Sequence, residues 1–357
     1  MAAPRGPLAE RFRRFAEVEC RGYSPLYERL ALAVAEDAEL LALAAHAPPG
    51  QPAPNLFFAA VHALLREDRA APAARFYPSL TEAPGGPEDA APAFRAYCLD
   101  RADAVRGVLA TRRVQTNEVG RCAYLYPALG LIARLAGERP LGVIEVGASA
   151  GLNLLWDRYG YRYGDGPIHG DPGSPVQLVC ATPGEIPPPL PQRVPAVGLR
   201  VGVDLHAIDV SDPAEARWLE ALVWPEHGGR LRALRGAIAL ARQEPPRLVT
   251  GDGLDLLPGL LAAVPDDVAP CVVHTHTLNQ FSEDGRARFA AILEAHGRGR
   301  ELYRLGAEWL GAPQPRLELT AWRGGRAAHR LLAECDPHGR WLAWRAACSR
   351  GGGEALS

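Results

Sequence analysis

The stretch "VIEVGASAGLN", residues 143–153, decides the fold of this chain. A run of apolar residues ends in Glu145, a turn rich in glycine and alanine follows, and apolar residues resume at Leu152 with helix-like spacing. A short apolar run that turns into a helix is typical of a βα unit in a parallel sheet. Glycines in such a turn let backbone N–H groups approach a ligand closely, and the next helix offers its positive N-terminal end. The stretch therefore predicts an α/β protein with a ligand-binding turn.

The chain beyond residue 140 continues in the same way, because short apolar runs alternate with amphipathic segments. This alternation predicts a mostly parallel sheet built from βα units. A G-G turn and a D-P-H-G turn near the end predict a C-terminal antiparallel hairpin. The predicted strands are "LGVIEV", "GLRVGV", "PRLVTG", "CVVHTH" and "ELYRLGAEW", and the predicted helices are "GLNLLWDRY", "PAEARWLEALVW", "HGGRLRALRGAIALARQ", "LDLLPGLLAAV" and "DGRARFAAILEAHG".

Residues 1–137 differ in texture, since they show helical periodicity and no strand pattern. Their clearest segment, "SPLYERLALAVAEDAELLALAAH", predicts one helix with Ser24 as its N-cap and Pro25 at its first position. We expect this region to form a helical lid or packing layer on an α/β domain of residues 138–350. Within that domain, the Gly/Pro-rich residues 157–196 are too long for an ordinary connection and predict an insertion with one short strand at "SPVQLV". The tail, residues 351–357, is expected to be disordered.

The composition excludes several classes of function. The formal net charge of −2 argues against a bulk attraction to nucleic acid or to an anionic membrane. The chain contains no lysine, so it has no Walker A phosphate site, no kinase lysine and no Schiff-base lysine for pyridoxal phosphate.

The cysteines and the N-terminus bear on the compartment. Seven cysteines are scattered without a C-x-x-C pair, which favours a reduced, cytoplasmic setting. The first twenty residues carry charges throughout, unlike a signal peptide, and the most apolar early stretch is interrupted by acidic residues. We therefore expect a cytoplasmic protein without a membrane partner.

The spacing within the turn selects among ligands. A dinucleotide fingerprint requires glycine where this chain has Ser149 and Leu152, so a nicotinamide or flavin site is disfavoured. The pattern is instead E-x-G-x-S-x-G, which begins at Glu145 and ends at Gly151. A carboxylate near the strand end suits the ammonium and sulfonium charges of S-adenosylmethionine (SAM). A tight βα turn without a ligand is the alternative.

This pattern resembles motif I of class I SAM-dependent methyltransferases, with Ser149 in place of the middle glycine. The resemblance implies a Rossmann-like fold, SAM as the cofactor, and an acidic residue at the end of the second strand that binds the ribose hydroxyls. Asp204 has that place in the sequence, provided that the long insertion loops out of the sheet. Asp252 and Gly253 resemble the segment beside the adenine, although Asp252 is equally suited to cap the next helix. The implied cofactor-binding residues are Glu145, Gly147, Ala148, Ser149, Gly151, Asn153, Asp204, Asp252 and Gly253.

The fourth predicted strand ends in "HTHTLNQ", where substrate-facing residues emerge in this fold. His274 and His276 lie two residues apart, so on a strand they would share a face. We expect one of them to act on the substrate side or as a general base, since a neutral imidazole accepts a proton near pH 7. A metal site is the alternative, but no third ligand with a carboxylate stands nearby, and we expect none. Thr275 and Asn279 would add polar contacts.

A polar cluster precedes the first strand in "QTNEVGRCAYLYPALGLIARLAG". Thr116 or Asn117 is a suitable N-cap for the helix that follows. Because a cap explains only one of these side chains, we expect the cluster to line the mouth of the cofactor pocket. Its members are Gln115, Thr116, Asn117, Glu118 and Arg121.

Four quoted stretches together resemble, over nearly the whole chain, an uncharacterised bacterial family known as domain of unknown function 2332. They are "QTNEVGRCA", "EVGASAGLNLLWDRYGYRYGDG", "GVDLHAIDVSDPAEARWLEALVWPE" and "HTHTL". The leading hypothesis is a SAM-dependent methyltransferase acting on a small-molecule or other, unidentified substrate. The alternatives are a non-catalytic SAM or nucleotide sensor or scaffold on the same fold, and a metal-dependent hydrolase that uses the two histidines. The sequence says nothing about the oligomeric state.

Overall fold

Eleven strands in residues 6–346, the part of the chain that the computed structural model describes, form two sheets. The eight-stranded sheet has the order β6–β5–β1–β7–β8–β9–β10–β11, and the three-stranded sheet has the order β3–β2–β4. The strands are β1 (Leu141–Val146), β2 (Gly160–Tyr163), β3 (Ile168–Gly170), β4 (Gln177–Cys180), β5 (Val197–Asp204), β6 (Arg247–Thr250), β7 (Ala269–Thr275), β8 (Leu302–Glu308), β9 (Arg316–Arg323), β10 (Arg326–Cys335) and β11 (Leu342–Trp344).

The large sheet confirms the predicted α/β class. Strand β1 pairs in parallel with β5 on one side and β7 on the other, and β5–β6 and β7–β8 are also parallel. From β8 onward the pairings are antiparallel, as the two turn signals predicted, and Gly324 and Gly325 both have positive φ between β9 and β10. The chain moves from β1 to one side of the sheet and then returns to the other side. In an α/β sheet, the crevice at such a switch point, outside the carboxyl ends of the strands, is where ligands bind.

Eleven α-helices complete the described residues, and none of them is long and apolar enough to cross a membrane. They are α1 (Pro7–Arg14), α2 (Pro25–Glu36), α3 (Ala38–Ala44), α4 (Ala53–Glu67), α5 (Ala90–Asp100), α6 (Ala102–Thr111), α7 (Cys122–Leu135), α8 (Pro213–Leu222), α9 (Gly228–Gln243), α10 (Gly253–Ala262) and α11 (Glu283–Gly299).

The chain divides into two compact units. One contains the residues up to 116 together with 211–232, and the other contains 117–210 and the residues from 233 onward. This division differs from the expected boundary at residue 137, because α7 belongs with the sheet and α8 belongs with the N-terminal helices. The predicted disordered tail at residues 351–357 lies outside the described residues.

Helix α2 of the helical unit begins with two linked capping interactions. Ser24 is the N-cap, as predicted, and accepts a hydrogen bond from the Tyr27 N–H. Glu226 in turn accepts from the Ser24 hydroxyl at 2.8 Å and from the Leu26 N–H at 2.9 Å. The single helix predicted here is two helices, because Asp37 has extended backbone and caps α3. The helical periodicity of the sequence continues across this break, so the periodicity does not reveal that the helix is interrupted.

One hydrophobic cluster of the α/β unit lies on the face of the sheet that packs against α10 and α11. Apolar residues of β1, β7 and β8 pack there against the inward faces of both helices. The most deeply buried members are Ile144, Leu257, Leu261, Val272, Leu293 and Leu302.

The insertion is more structured than the single predicted strand. It forms the three-stranded sheet β3–β2–β4, and its first tyrosines are tied to neighbouring backbone by their hydroxyl groups. Tyr159 donates to the Leu152 carbonyl at 2.6 Å, and Tyr163 donates to the Ala123 carbonyl at 2.7 Å. The insertion therefore braces the segment that follows the glycine-rich turn.

Candidate functional site

The candidate site lies where β1, β5 and β7 end at one edge of the sheet. Glu145 of β1 pairs with Gly202 of β5 and with Val273 of β7, so the residues that follow these strands emerge side by side. They are the turn of residues 147–151, Asp204 with the residues after it, and the segment that begins at Thr275. Sequence order alone separates these pieces, and the parallel pairing brings them together.

The turn after β1 has an unusual backbone. Gly147, Ser149 and Gly151 all have positive φ, at 78°, 54° and 68°. A Cβ on Gly147 would lie 2.3 Å from Thr277 Oγ1, so only glycine fits there. Ser149 adopts the left-handed conformation without being a glycine, which costs about 1 kcal/mol. This turn therefore needs compensating contacts to hold its shape.

Those contacts are hydrogen bonds to the N–H groups of the turn. Two carbonyl groups and two side chains, Asp204 and Asn117, accept them. The pairs are Gly147 N to Val203 O at 2.8 Å, Ala148 N to Val203 O at 3.2 Å, Ser149 N to Asp204 Oδ2 at 2.8 Å, Gly151 N to Ala148 O at 2.7 Å, and Leu152 N to Asn117 Oδ1 at 3.0 Å. A phosphate-binding turn directs such N–H groups at its ligand instead.

Asp204 has the position that the resemblance implied. It lies far along the chain from Ser149, yet its Oδ2 accepts the Ser149 N–H and its Oδ1 accepts the His206 N–H at 2.9 Å. The insertion loops out of the large sheet, which allows β5 to pair directly with β1. The long separation in sequence thus leaves the carboxylate adjacent to the turn.

Glu145 is the most perturbed carboxylate of the edge. It is 2% exposed, its Oε1 accepts from Asn153 Nδ2 at 3.2 Å, and its Oε2 has no hydrogen-bond partner within residues 6–346. Burial raises its pKa to about 8, against the lowering effects of the Asn153 hydrogen bond and the Arg121 charge. Ser149 Oγ, in the same turn, is also buried without a partner in that part of the chain. Each buried polar atom without a partner requires an explanation, and a bound ligand is one.

Asn153 lies in a segment that was predicted to be an α-helix. Residues Leu152–Arg158 form a 3₁₀ helix instead, interrupted at Leu155. Asn153 Oδ1 also accepts a hydrogen bond from Cys122 Sγ at 3.5 Å, so the amide group is held between Cys122 and Glu145. The tighter helix turns the amide toward β1.

Arg121 connects the end of β7 with the turn between β10 and β11. Its Nη1 donates to the carbonyl and to the hydroxyl of Thr275, both at 3.2 Å, and its Nε donates to the Pro337 carbonyl at 3.3 Å. Its positive charge lowers the pKa of both Glu145 and His276. A guanidinium therefore faces a buried carboxylate and a buried imidazole at this edge.

The rest of the predicted polar cluster has varied roles. Asn117 does not cap α7, which begins at Cys122 without a side-chain cap; it holds the turn after β1 instead. Glu118 accepts the Gly120 N–H at 3.2 Å and starts a short 3₁₀ helix before α7. Gln115 and Thr116 belong to the other compact unit.

The two histidines differ sharply. Strand β7 ends at Thr275 and His276 has a φ of 55°, so the two rings do not share a face as predicted from the alternation. His276 is 9% exposed, packs against the Trp309 ring at a centroid distance of 4.6 Å, and neither of its ring nitrogens has a partner in the described residues. Burial and the Arg121 charge lower its pKa to about 3. It is a neutral hydrogen-bonding group with unused capacity.

His274, in contrast, is fully buried and fully hydrogen-bonded. Its Nδ1 lies 2.8 Å from Glu308 Oε1, and its Nε2 accepts from Arg304 Nε at 2.9 Å. Burial lowers its pKa. Glu308 Oε1 also accepts the N–H groups of Thr277 and Leu278, at 3.0 and 3.1 Å, which fixes the turn after β7. His274 therefore has a supporting role, because it holds Glu308, which fixes the turn after β7.

Sequence reasoning missed Arg304 and Glu308. Both lie in the buried strand β8, where a charged residue is costly unless it is paired. The signal in the sequence is a pair of opposite charges, Arg304 and Glu308, within an otherwise apolar strand. They are four residues apart and therefore lie on one face of the strand.

The remaining predicted residues lie around this edge with local roles. Asp252 follows β6, is exposed, and caps α10 by accepting the Leu254 N–H at 2.7 Å, while Gly253 is the first residue of that helix. Asn279 Oδ1 accepts the Leu310 N–H at 3.4 Å. Within residues 6–346, no group of three or more His, Cys, Asp or Glu side chains is arranged to hold a metal ion.

Comparison with known proteins gives one match. A family model described as "Uncharacterized protein conserved in bacteria (DUF2332)" matches residues 9–344. A search of curated proteins and a search of solved structures each return no match.

Proposed function

The chain belongs to this uncharacterised bacterial family, DUF2332, and we propose from its own site that it is a SAM-dependent methyltransferase with a class I methyltransferase-like fold. The observation that carries the proposal is the unpartnered Oε2 of Glu145, buried at the end of the central strand. A buried acceptor without a hydrogen bond costs about 1–3 kcal/mol. An ammonium group of a ligand would remove that cost and favour the charged carboxylate.

The positive charge of Arg121 gives the site a partner for the second charged group of an amino acid. The Arg121 guanidinium acts electrostatically on Glu145, and its Nη2 makes no hydrogen bond within residues 6–346. Guanidinium groups bind carboxylates well because their N–H donors form a planar fork. Glu145 and Arg121 together suit an α-ammonium and an α-carboxylate, which are the charged ends of the methionine part of SAM.

The turn favours a cofactor without phosphate groups. Four N–H donors of the turn and that of Leu152 directly after it are already engaged, two of the five by side chains, and one of the acceptors is a carboxylate. A nucleotide phosphate would meet negative charge there instead of free donors. Asp204 accepts two backbone N–H groups beside the turn, and we expect its carboxylate to bind the ribose hydroxyls. Asp252 and Gly253 remain the prediction for the adenine side.

SAM supplies a methyl group on a sulfonium, which an acceptor nucleophile takes by direct displacement. The contribution of the chain is alignment, which accounts for much of the barrier in reactions of this type. His276 emerges beside β1 and offers two ring nitrogens to an acceptor. Protonating an imidazole with a pKa of about 3 at pH 7 costs about 5 kcal/mol. We therefore propose that His276 orients the methyl acceptor. We expect the nucleophilic atom of this acceptor to react without transferring a proton to His276.

Isothermal titration calorimetry of the full chain with SAM and with S-adenosylhomocysteine tests the proposal. We expect both to bind, and Glu145→Gln and Asp204→Ala to weaken SAM by at least tenfold, about 1.4 kcal/mol. The matched control is Glu185→Gln, which removes an exposed carboxylate of the insertion and should leave the affinity unchanged. Absence of binding heat with folded wild-type protein would contradict the proposal.

A non-catalytic SAM sensor on the same fold is the second candidate. The observation that favours it is the low pKa of His276, which makes this imidazole a weak proton acceptor. A sensor would bind SAM with the same Glu145 dependence and leave it intact. Prolonged incubation with SAM that carries a radiolabelled methyl group and with a heat-inactivated cell extract separates the two. The methyltransferases of the extract are then inactive, so an acceptor is labelled only if this protein is an enzyme.

A further inference from the structure

The helical unit contains a cavity of its own, of ≈ 330 Å³. Helices α4, α6 and α8 supply its walls, together with residues just beyond the ends of α4 and α6. This volume lies in the range of small-molecule sites. The lining residues are Ala63, Leu64, Arg66, Glu67, Arg69, Val108, Arg112, Ala214, Arg217 and Trp218.

The lining charges are strongly unequal, with four arginines against one glutamate. Two of the guanidinium groups are neutralised from outside the lining, because Arg66 pairs with Glu220 and Arg112 pairs with Glu215. The other two are not closely paired. Arg217 comes only within 3.9 Å of the exposed Glu67, and Arg69 makes no ion pair within residues 6–346.

The walls between the charges are apolar. Ala63, Leu64, Val108 and Ala214 present apolar side chains, and the buried Trp218 adds an aromatic surface with the Arg112 guanidinium 5.8 Å from its ring centroid. The Trp218 indole N–H donates to the Arg113 carbonyl at 2.8 Å, which fixes the ring. A flat apolar body suits these walls, whereas a fully hydrated ion does not.

We propose that this cavity binds a small organic anion, a flat apolar ring that carries a phosphate or a carboxylate. Arg69 and Arg217 bind the anionic group, since guanidinium matches both oxyanions in geometry and charge. The ring lies against the small apolar residues of α4 and α6. The site is separate from the SAM proposal and stands whether or not the chain binds SAM.

Calorimetric titration of the full chain with phenyl phosphate, benzoate, inorganic phosphate and benzyl alcohol tests this site. None of these probes contains adenosine or an amino acid, so they do not report on the edge of the sheet. We expect phenyl phosphate or benzoate to bind, and the better of the two identifies the anionic group. Inorganic phosphate and benzyl alcohol should each bind at least about tenfold more weakly than that probe, since inorganic phosphate lacks the apolar ring and benzyl alcohol lacks the anionic group.

Two variants locate the binding. Arg69→Ala/Arg217→Ala should weaken the preferred probe at least about tenfold, because it removes two charged contacts. Ala63→Phe should exclude the ring while leaving the arginines in place. Arg106→Ala, on the same helix α6 but outside the cavity, is the matched control and should bind like wild type. The proposal is overturned if neither organic anion binds, if benzyl alcohol binds equally well, or if the folded double variant keeps wild-type affinity.

Discussion

Replacing Glu145 by glutamine should change how the stability of the ligand-free protein depends on pH. Burial raises the pKa of this carboxyl group to about 8, from an ordinary value of 4.5. The folded protein therefore holds a proton that the unfolded chain has released above pH 4.5. A group with a raised folded-state pKa contributes stability that is complete below the unfolded pKa and is lost as the pH rises through the folded one.

The magnitude follows from the slope of about 1.4 kcal/mol per pH unit that one such proton produces. Between pH 6 and pH 8, the contribution of Glu145 to the free energy of unfolding falls by about 2 kcal/mol. Glutamine keeps the shape and the acceptor for Asn153 but does not titrate, so the variant lacks this loss.

Urea unfolding at pH 6 and pH 8 measures the effect. Wild type should lose about 2 kcal/mol more than Glu145→Gln across this interval, while Glu185→Gln should follow wild type. Calorimetry in two buffers of different ionisation enthalpy should also show the release of about 0.9 proton when SAM binds wild type at pH 7, and none from the glutamine variant. Equal losses of stability in wild type and Glu145→Gln would refute the reasoning.

Four further substitutions test the same edge of the sheet, each measured by urea unfolding. His276→Phe should keep the stability within about 1 kcal/mol or raise it, because neither ring nitrogen has a partner in the described residues, whereas His274→Phe should cost about 3–5 kcal/mol; equal costs would contradict this division of roles. Gly147→Ala should cost at least about 2 kcal/mol, since φ is positive and the added Cβ meets Thr277; a neutral effect would contradict the close approach. Asn117→Ala should cost about 1–2 kcal/mol by leaving a turn N–H unpaired, and no loss would contradict that hydrogen bond.

The elements that the sequence predicted well are those that local pattern determines. The strand Leu141–Val146 is where its apolar run placed it, and Ser24 caps α2 because cap chemistry is local. The adjacency of Asp204 to the glycine-rich turn also followed from topology, once the insertion was taken out of the sheet.

The parts that escaped prediction depend on partners distant in sequence. The alternation in "HTHT" predicts that His274 and His276 share a face, but Glu308 and Arg304 on the next strand engage only His274. The sequence predicts Thr116 or Asn117 as the N-cap of the following helix, but the Asn117 side chain accepts the Leu152 N–H instead. No periodicity within a segment encodes such choices, because the competing partners lie in other elements.

The interleaving of the two units along the chain has a consequence for synthesis on the ribosome. Residues 211–232 leave the α/β unit and complete the helical one, where His62 Nδ1 lies 3.0 Å from the Ala221 carbonyl and Glu226 closes the cap of α2. The N-terminal helices therefore wait for these contacts until translation has passed residue 232, with the first strands of the sheet already made. The helical unit is therefore complete in sequence while the α/β unit still lacks β6–β11, and a nascent chain stalled at residue 116 should remain open to proteases and bind chaperones.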